Sequence, residues 1–71
     1  MANEILAPLP GKIIEVKTQA GAVLSKDEEA LTIEAMKMEM PLVAPCDGTV
    51  KEVRVKQGDA VQKDDVLVVM E

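Results

Sequence analysis

Apolar and polar residues alternate over much of this chain with a period near two. In "TVKEVRV" (49–55) valines recur between charged residues, and "DDVLVVM" (64–70) is a β-branched run that follows an Asp-Asp turn signal. Both patterns predict strands. The stretch "KDEEALTIEAMKMEM" (26–40) pulls the other way, because Ala, Met, Lys and Glu are strong helix formers and its length suits a short surface helix.

An internal repeat decides between the two. Displaced by 37 residues, "APLPGKIIEVKTQAGAVLSKDEEALTIE" (7–34) falls without a gap on "APCDGTVKEVRVKQGDAVQKDDVLVVME" (44–71). Nine of the 28 pairs are identical: Ala7/Ala44, Pro8/Pro45, Gly11/Gly48, Glu15/Glu52, Val16/Val53, Gly21/Gly58, Lys26/Lys63, Asp27/Asp64 and Glu34/Glu71. All four glycines pair off in this way. Because "EEALTIE" lies on "DVLVVME", it is predicted to be a strand, its weak helical preference overridden by tertiary context. Two copies are too few for a solenoid and suit one closed domain, residues 1–71, with an approximate two-fold axis.

Short strands are therefore predicted near 4–7, 12–17, 22–24, 29–34, 38–43, 49–55, 59–61 and 66–70. Turns fall at 8–11, 19–21, 25–28, 45–48, 57–58 and 63–65, where Gly and Pro supply special backbone angles and Asp bonds its own backbone. The expected fold is all-β, a flattened barrel or two-sheet sandwich with no helix of any length.

Composition removes several functions. A chain of 71 residues is near the lower limit for a self-sufficient core, and one cysteine, Cys46, cannot form an internal disulfide. Without histidine, a structural zinc site or a base to activate Cys46 is lacking, so Cys46 reads as a small apolar filler beside a turn. A net charge of -5 with no aromatic residue opposes nucleic acid and anionic lipid as partners. No apolar run approaches the roughly 20 residues of a membrane span, and "MANEIL" lacks signal-peptide regions. The expected setting is cytoplasmic, without direct membrane insertion, and an independent enzyme lacks a nucleophile with an evident base.

One stretch remains: "EAMKMEM" (34–40) sets Met36, Met38 and Met40 on alternate positions around Lys37. It joins the two copies. The counterpart of Lys37 under the offset is a position just beyond a chain end, so the pseudo-dyad sets this hairpin tip opposite the termini. A lysine there is well placed to carry cargo, with Met36 and Met38 as adaptable tip surface and Met40 as part of the core face. Glu34 and Glu39 read as solvated charges flanking the tip, and Asp27, Glu28 and Glu29 as a turn and a solvated face.

The motif, with "APLPGKI", "APCDGTVKEVRVKQGDAV" and "DVLVVME", resembles the biotinyl domain of the biotin carboxyl carrier protein family over nearly the whole chain. The resemblance implies two four-stranded antiparallel sheets related by a pseudo-dyad, and the gapless repeat implies the thumbless type. It implies biotin in amide linkage to Lys37, with Ala35, Met36, Met38 and Glu34 read by a biotin protein ligase. It also implies a non-catalytic carrier serving biotin carboxylase and carboxyltransferase or decarboxylase subunits, or a transcarboxylase, with the carboxyl acceptor decided by those partners. A lysine amine is protonated at neutral pH and a poor nucleophile, which is why the family's ligase first activates biotin as an adenylate. Two departures, Ala22 opposite Asp59 and Glu28 where a turn glycine is common, touch turns and leave the motif intact. A lipoyl carrier has the same fold, but its lysine usually stands in Asp-Lys-Ala, and an unmodified scaffold gives no reason for methionines on both sides of Lys37.

Overall fold

The computed structural model describes residues 3–71, and every described element is a strand or a turn. Eight strands follow in order: β1 (Asn3–Leu6), β2 (Gly11–Val16), β3 (Val23–Leu24), β4 (Glu29–Ala35), β5 (Met38–Val43), β6 (Gly48–Val53), β7 (Ala60–Val61) and β8 (Val66–Met70). They form two four-stranded sheets, sheet A in the order β1-β8-β6-β3 and sheet B in the order β5-β4-β2-β7, all neighbours antiparallel. The offset of 37 carries β1 to β5, β2 to β6, β3 to β7 and β4 to β8, so it turns each sheet into the other. The predicted two-sheet sandwich with a pseudo-dyad is the observed fold.

The residues 26–40 form no helix; β4 and β5 take up most of them, as the repeat requires. Helical propensity loses here because Ala30, Leu31, Ile33 and Ala35 of β4 are all buried, which a strand between two neighbours achieves. Strand ends differ from expectation by a residue or two. The predicted strand 49–55 stops at Val53, after which Arg54 N–H donates to Leu67 C=O at 2.8 Å and the chain leaves the ladder, just as Lys17 N–H donates to Ala30 C=O at 2.8 Å after β2. Residues 17–22 and 54–59, which link β2 to β3 and β6 to β7, are equal in length, so the first half holds no protruding insertion.

The symmetry extends to irregularities. Register shifts at Ile13/Glu15 and Val50/Glu52 are one bulge drawn twice, and those in the β1–β8 and β4–β5 pairs are another. Bulges sharpen the local twist, which helps two small sheets wrap around one core. That core holds Ile5, Ile13, Leu31, Ile33, Val50, Leu67, Val68 and Met70 as its larger members, with no buried charged residue among the described residues. Lacking any aromatic residue, it depends on the close packing of branched aliphatic chains.

Turns follow the same rule, with informative exceptions. Gln62 N–H donates to the Asp65 carboxylate at 2.8 Å, and the equivalent Ser25 N–H donates to the Glu28 carboxylate at 2.9 Å, so Glu28 does the work of its shorter counterpart. Lys56 N–H donates to the Asp59 carboxylate at 3.0 Å, a bond that Ala22 cannot accept in the other copy. Thr18 stands opposite Val55 in the repeat, and its buried hydroxyl has no hydrogen-bond partner among the described residues. Burying an unpaired hydroxyl costs about 1–3 kcal/mol. Thr18→Val is therefore expected to stabilise the fold by about 1 kcal/mol, read as a higher urea midpoint at unchanged slope. An unchanged or lower midpoint would show that the hydroxyl is satisfied in solution.

Candidate functional site

Beyond the bulge at Glu29/Leu31, the β4–β5 hairpin runs in register from Leu31↔Leu42 to Ala35↔Met38, leaving only Met36 and Lys37 outside the ladder at its tip. A two-residue hairpin loop of this kind matches the right-handed twist of its strands when both residues are left-handed, the type I′ turn. Met36 has φ 53° and Lys37 φ 64°, both in that region. Asn-Gly is the usual occupant of such a turn, and a residue with a Cβ there costs roughly 1–2 kcal/mol. The other left-handed positions, Asp27 with Asp64 and Gly21 with Gly58, come in repeat-related pairs of residue types that tolerate the conformation. Met36 and Lys37 have neither a counterpart nor a tolerant side chain, so the strain is confined to the motif, as is common where geometry serves a function.

That strain has a measurable size. Met36→Asn is expected to raise stability by about 0.5 kcal/mol, because Asn is the more tolerant left-handed residue. Urea denaturation reads the change, and a loss of stability would mean that the Met36 side chain contributes packing that its exposure does not suggest.

Lys37 is exposed and has no carboxylate within the 4.0 Å of an ion pair among the described residues. Met36 is 79% and Met38 64% exposed, whereas Met40 is half-buried and packs on the core. The alternate spacing read from the sequence thus divides into two tip methionines and one core methionine. Of the other residues singled out, Glu34 is exposed and Ala35 is buried. Cys46 is half-buried with a free thiol, beside the turn where it was expected.

The two sides of the hairpin differ. Directly opposite residues in an antiparallel pair share a face. Lys12, Glu34 and Glu39 form one row across β2, β4 and β5 on the outer face of sheet B, all exposed. Glu34 and Glu39 are like charges in direct register, a mildly unfavourable pairing. Farther from the tip, Lys17 Nζ lies 3.7 Å from both the Glu15 and Glu29 carboxylates, and a shallow groove of about 520 Å³ there is lined by residues that include Ile14, Thr32, Glu39 and Pro41. Lys37 stands outside that groove. Met38, paired with Ala35, is on the opposite, inward-facing side at the rim.

Gly11 braces the base of the tip. A Cβ at this position would overlap the Glu34 carbonyl oxygen and sit 3.1 Å from the Ala35 methyl, so only glycine allows β2 to lie so close to β4 here. Gly48 makes the same approach to the Glu71 carbonyl at the other pole. The sequence reading assigned Gly11 to a turn and missed this role. The signal was present in the repeat, which aligns Gly11 with Gly48 and Glu34 with Glu71.

No group of three or more His, Cys, Asp or Glu able to hold a metal exists among the described residues. What fold and tip define is a barrel-sandwich domain of the biotinyl and lipoyl type, two pseudo-symmetric sheets with one lysine on a tight turn between the halves. The chain belongs to the biotin/lipoyl attachment family, described as "Biotin-requiring enzyme", whose model matches residues 3–70.

Relatives agree. The chain is 47% identical over 38 residues to the gamma subunit of methylmalonyl-CoA decarboxylase from Veillonella parvula, a match covering 54% of this chain and 30% of that protein. It is 40% identical over 42 residues to the biotin carboxyl carrier protein of Streptococcus mutans, covering 59% and 32%. Human mitochondrial pyruvate carboxylase is 46% identical over 37 residues, covering 52% and 3%. Each match spans about a third or less of the relative's length. In three dimensions the chain resembles part of a single-chain, multi-domain long-chain acyl-CoA carboxylase, with TM-score 0.89, 32% identity and coverage of 97% and 7%. Urea carboxylase from Kluyveromyces lactis gives TM-score 0.93, 27% identity and coverage of 100% and 6%.

Proposed function

We propose that Lys37 is the covalent attachment point for biotin and that the chain is a non-catalytic carrier, moving a carboxyl group between active sites of a biotin-dependent carboxylase, decarboxylase or transcarboxylase. The observation that carries this reading is the turn itself: an exposed lysine without an ion-pair partner among the described residues, held left-handed between two exposed methionines. Such a turn fixes where the side chain leaves the backbone and leaves the amine free to react.

Loading needs a biotin protein ligase. The Lys37 amine gives up a proton and attacks the activated carboxylate of biotinyl-adenylate; the amide C–N bond forms, the acyl–phosphate bond breaks and AMP leaves. Formal net charge then falls from -5 to -6, because the amide is neutral. When bound, biotin supplies a ring nitrogen able to hold a carboxyl group. The chain itself contributes a rigid base, a single point of attachment and tethering, which raises the carried group's effective concentration at both active sites. Among the flanking residues, Met36, Met38 and Glu34 offer side chains that a ligase can read. Ala35, buried against Gly11, would act by keeping the base of the turn narrow. The partners proposed are biotin carboxylase and carboxyltransferase or decarboxylase subunits, matching the kinds of protein to which the chain is similar.

Intact mass and peptide mapping after incubation with biotin, ATP and a biotin ligase test the reading. One biotinyl group confined to Lys37 is the expected result. An unchanged mass from folded protein and active ligase would overturn it, and addition of a lipoyl group by a lipoyl ligase under matched conditions would replace it with the lipoyl carrier.

A further inference from the structure

The four described methionines stand in graded environments. Met36 and Met38, on either side of Lys37, are the most exposed, Met40 is half-buried against the core, and Met70 is wholly buried. Elsewhere the chain keeps its large apolar side chains out of water: among the described residues only Leu6, Val23 and Val43 join the two tip methionines as exposed large hydrophobics. Neither tip methionine is among the residues that form or pack on the core.

Folding does not ask for methionine at these two positions. The left-handed backbone at Met36 suits Asn or Gly better, and Met38 gains little from burial at the first pair of the hairpin. What a thioether has that other apolar side chains lack is a sulfur open to oxidation. Conversion to the sulfoxide turns a flexible apolar side chain into a polar one and leaves the backbone untouched. At Met70 that change would put a polar group into the core; at Met36 and Met38 it changes only the surface beside the lysine.

We propose that Met36 and Met38 are sites of reversible oxidation by peroxide, and that the sulfoxide at either one closes Lys37 to the ligase. This rests on the carrier reading above and adds regulation to it: loading of the chain follows the redox state of its surroundings. The thioether sulfur attacks one oxygen of hydrogen peroxide; the S–O bond forms, the O–O bond breaks and water leaves, so that sulfur loses two electrons and the peroxide gains them. A dithiol reverses the step through methionine sulfoxide reductases, becoming a disulfide as the sulfoxide oxygen departs as water. Each sulfoxide sets a strong hydrogen-bond acceptor in surface that a ligase must strip of water to reach the amine, and an acceptor left unpaired there opposes binding. Oxidation after loading leaves the amide in place, so the switch acts on new loading and not on the group already carried.

The test treats the unloaded chain with a limited dose of hydrogen peroxide, removes the excess with catalase, returns Cys46 to the thiol with dithiothreitol and reads each methionine by peptide mapping. Met36 and Met38 are expected to oxidise first, Met40 later, and Met70 about tenfold or more slowly, because its sulfur meets solvent only when the core opens. The urea midpoint of the tip-oxidised chain should match that of the untreated chain. Ligase labelling of Lys37 is expected to fall about tenfold in kcat/KM, the size of effect that one unpaired polar group in an interface produces, and to return after treatment with methionine sulfoxide reductases A and B. A chain carrying Met36→Leu and Met38→Leu has its own labelling rate, and that rate should be the same before and after peroxide, which sets aside any effect through Cys46. Oxidation of Met70 as fast as Met36, or equal labelling of the tip-oxidised and untreated chains, would overturn the switch and leave the carrier reading standing. Failure to load Lys37 in the untreated chain would overturn both.

Discussion

Lys37→Ala is expected to abolish biotin incorporation while leaving stability within about 0.5 kcal/mol of the original chain, the usual range for an exposed substitution. Labelling falls to zero because no other lysine shares the turn. Lys12, Lys17, Lys26, Lys51, Lys56 and Lys63 are exposed too, but each lies in or beside a ladder or in a turn without the left-handed Met-Lys pair. Stability holds because Lys37 has no ion-pair partner among the described residues to lose. Lys37→Arg sharpens the experiment: it keeps the charge but replaces the amine with a guanidinium that stays protonated and does not acylate under these conditions. Both variants should melt with the parent and neither should gain mass. Residual label at another lysine would show that the ligase reads less of the turn than its geometry suggests, and a loss of several kcal/mol would give Lys37 a structural part that its exposure denies.

The largest effect on stability is expected at the glycines that brace the two poles. Gly11→Ala and Gly48→Ala each drive a methyl group into a backbone carbonyl, of Glu34 in one case and Glu71 in the other. Backbone cannot step aside as a flexible side chain can, so each substitution should cost about 2–3 kcal/mol, in the upper part of the overpacking range. The pair makes a controlled comparison. Both drive a methyl into a carbonyl at the same point of the repeat, although Gly11→Ala also crowds the Ala35 methyl where Gly48→Ala meets only the end of the Met70 side chain, and only Gly11→Ala strains the strand that leads into Met36 and Lys37. Gly11→Ala is expected to slow ligase labelling well beyond Gly48→Ala when both are measured at a temperature where both remain folded. Equal labelling rates would show that the tip is insulated from its base, and a small stability loss at either site would show that β2 or β6 can move outward at little cost.

Much of this was legible because the chain states its fold twice. The run 29–35 is ambiguous alone and becomes a strand only when laid on Val66–Met70, whose β-branched residues have no helical reading. The pole-to-pole relation of Lys37 to the termini followed from the same offset. Other features left no mark in the pattern of residues. Nothing in Met-Lys signals positive φ, since the usual carriers of that signal are Gly and Asn; the conformation is imposed by strands that leave two residues to reverse direction. The bulges at Ile13/Glu15 and Glu29/Leu31 interrupt the period of two without any residue that signals them. The unpaired Thr18 hydroxyl depends on packing that periodicity does not describe. Met36, Met38 and Met40 look equivalent in sequence, yet only the first two are exposed, because Met40 faces Ile33 inside the sheet.

Asn3 pairs with Met70 in sheet A as Met40 pairs with Ile33 in sheet B. Six residues, 34–39, join Ile33 to Met40; Glu71, Met1 and Ala2 supply three of the six that would join Met70 to Asn3. In topological terms the chain is a ring cut at one of two equivalent corners. Closing it with a three-residue Ala-Met-Lys bridge would rebuild the missing corner and give a circular protein that displays two lysines at opposite ends. Opening that ring instead between Met36 and Lys37 would move the acceptor from one half of the chain to the other while every strand kept its neighbours.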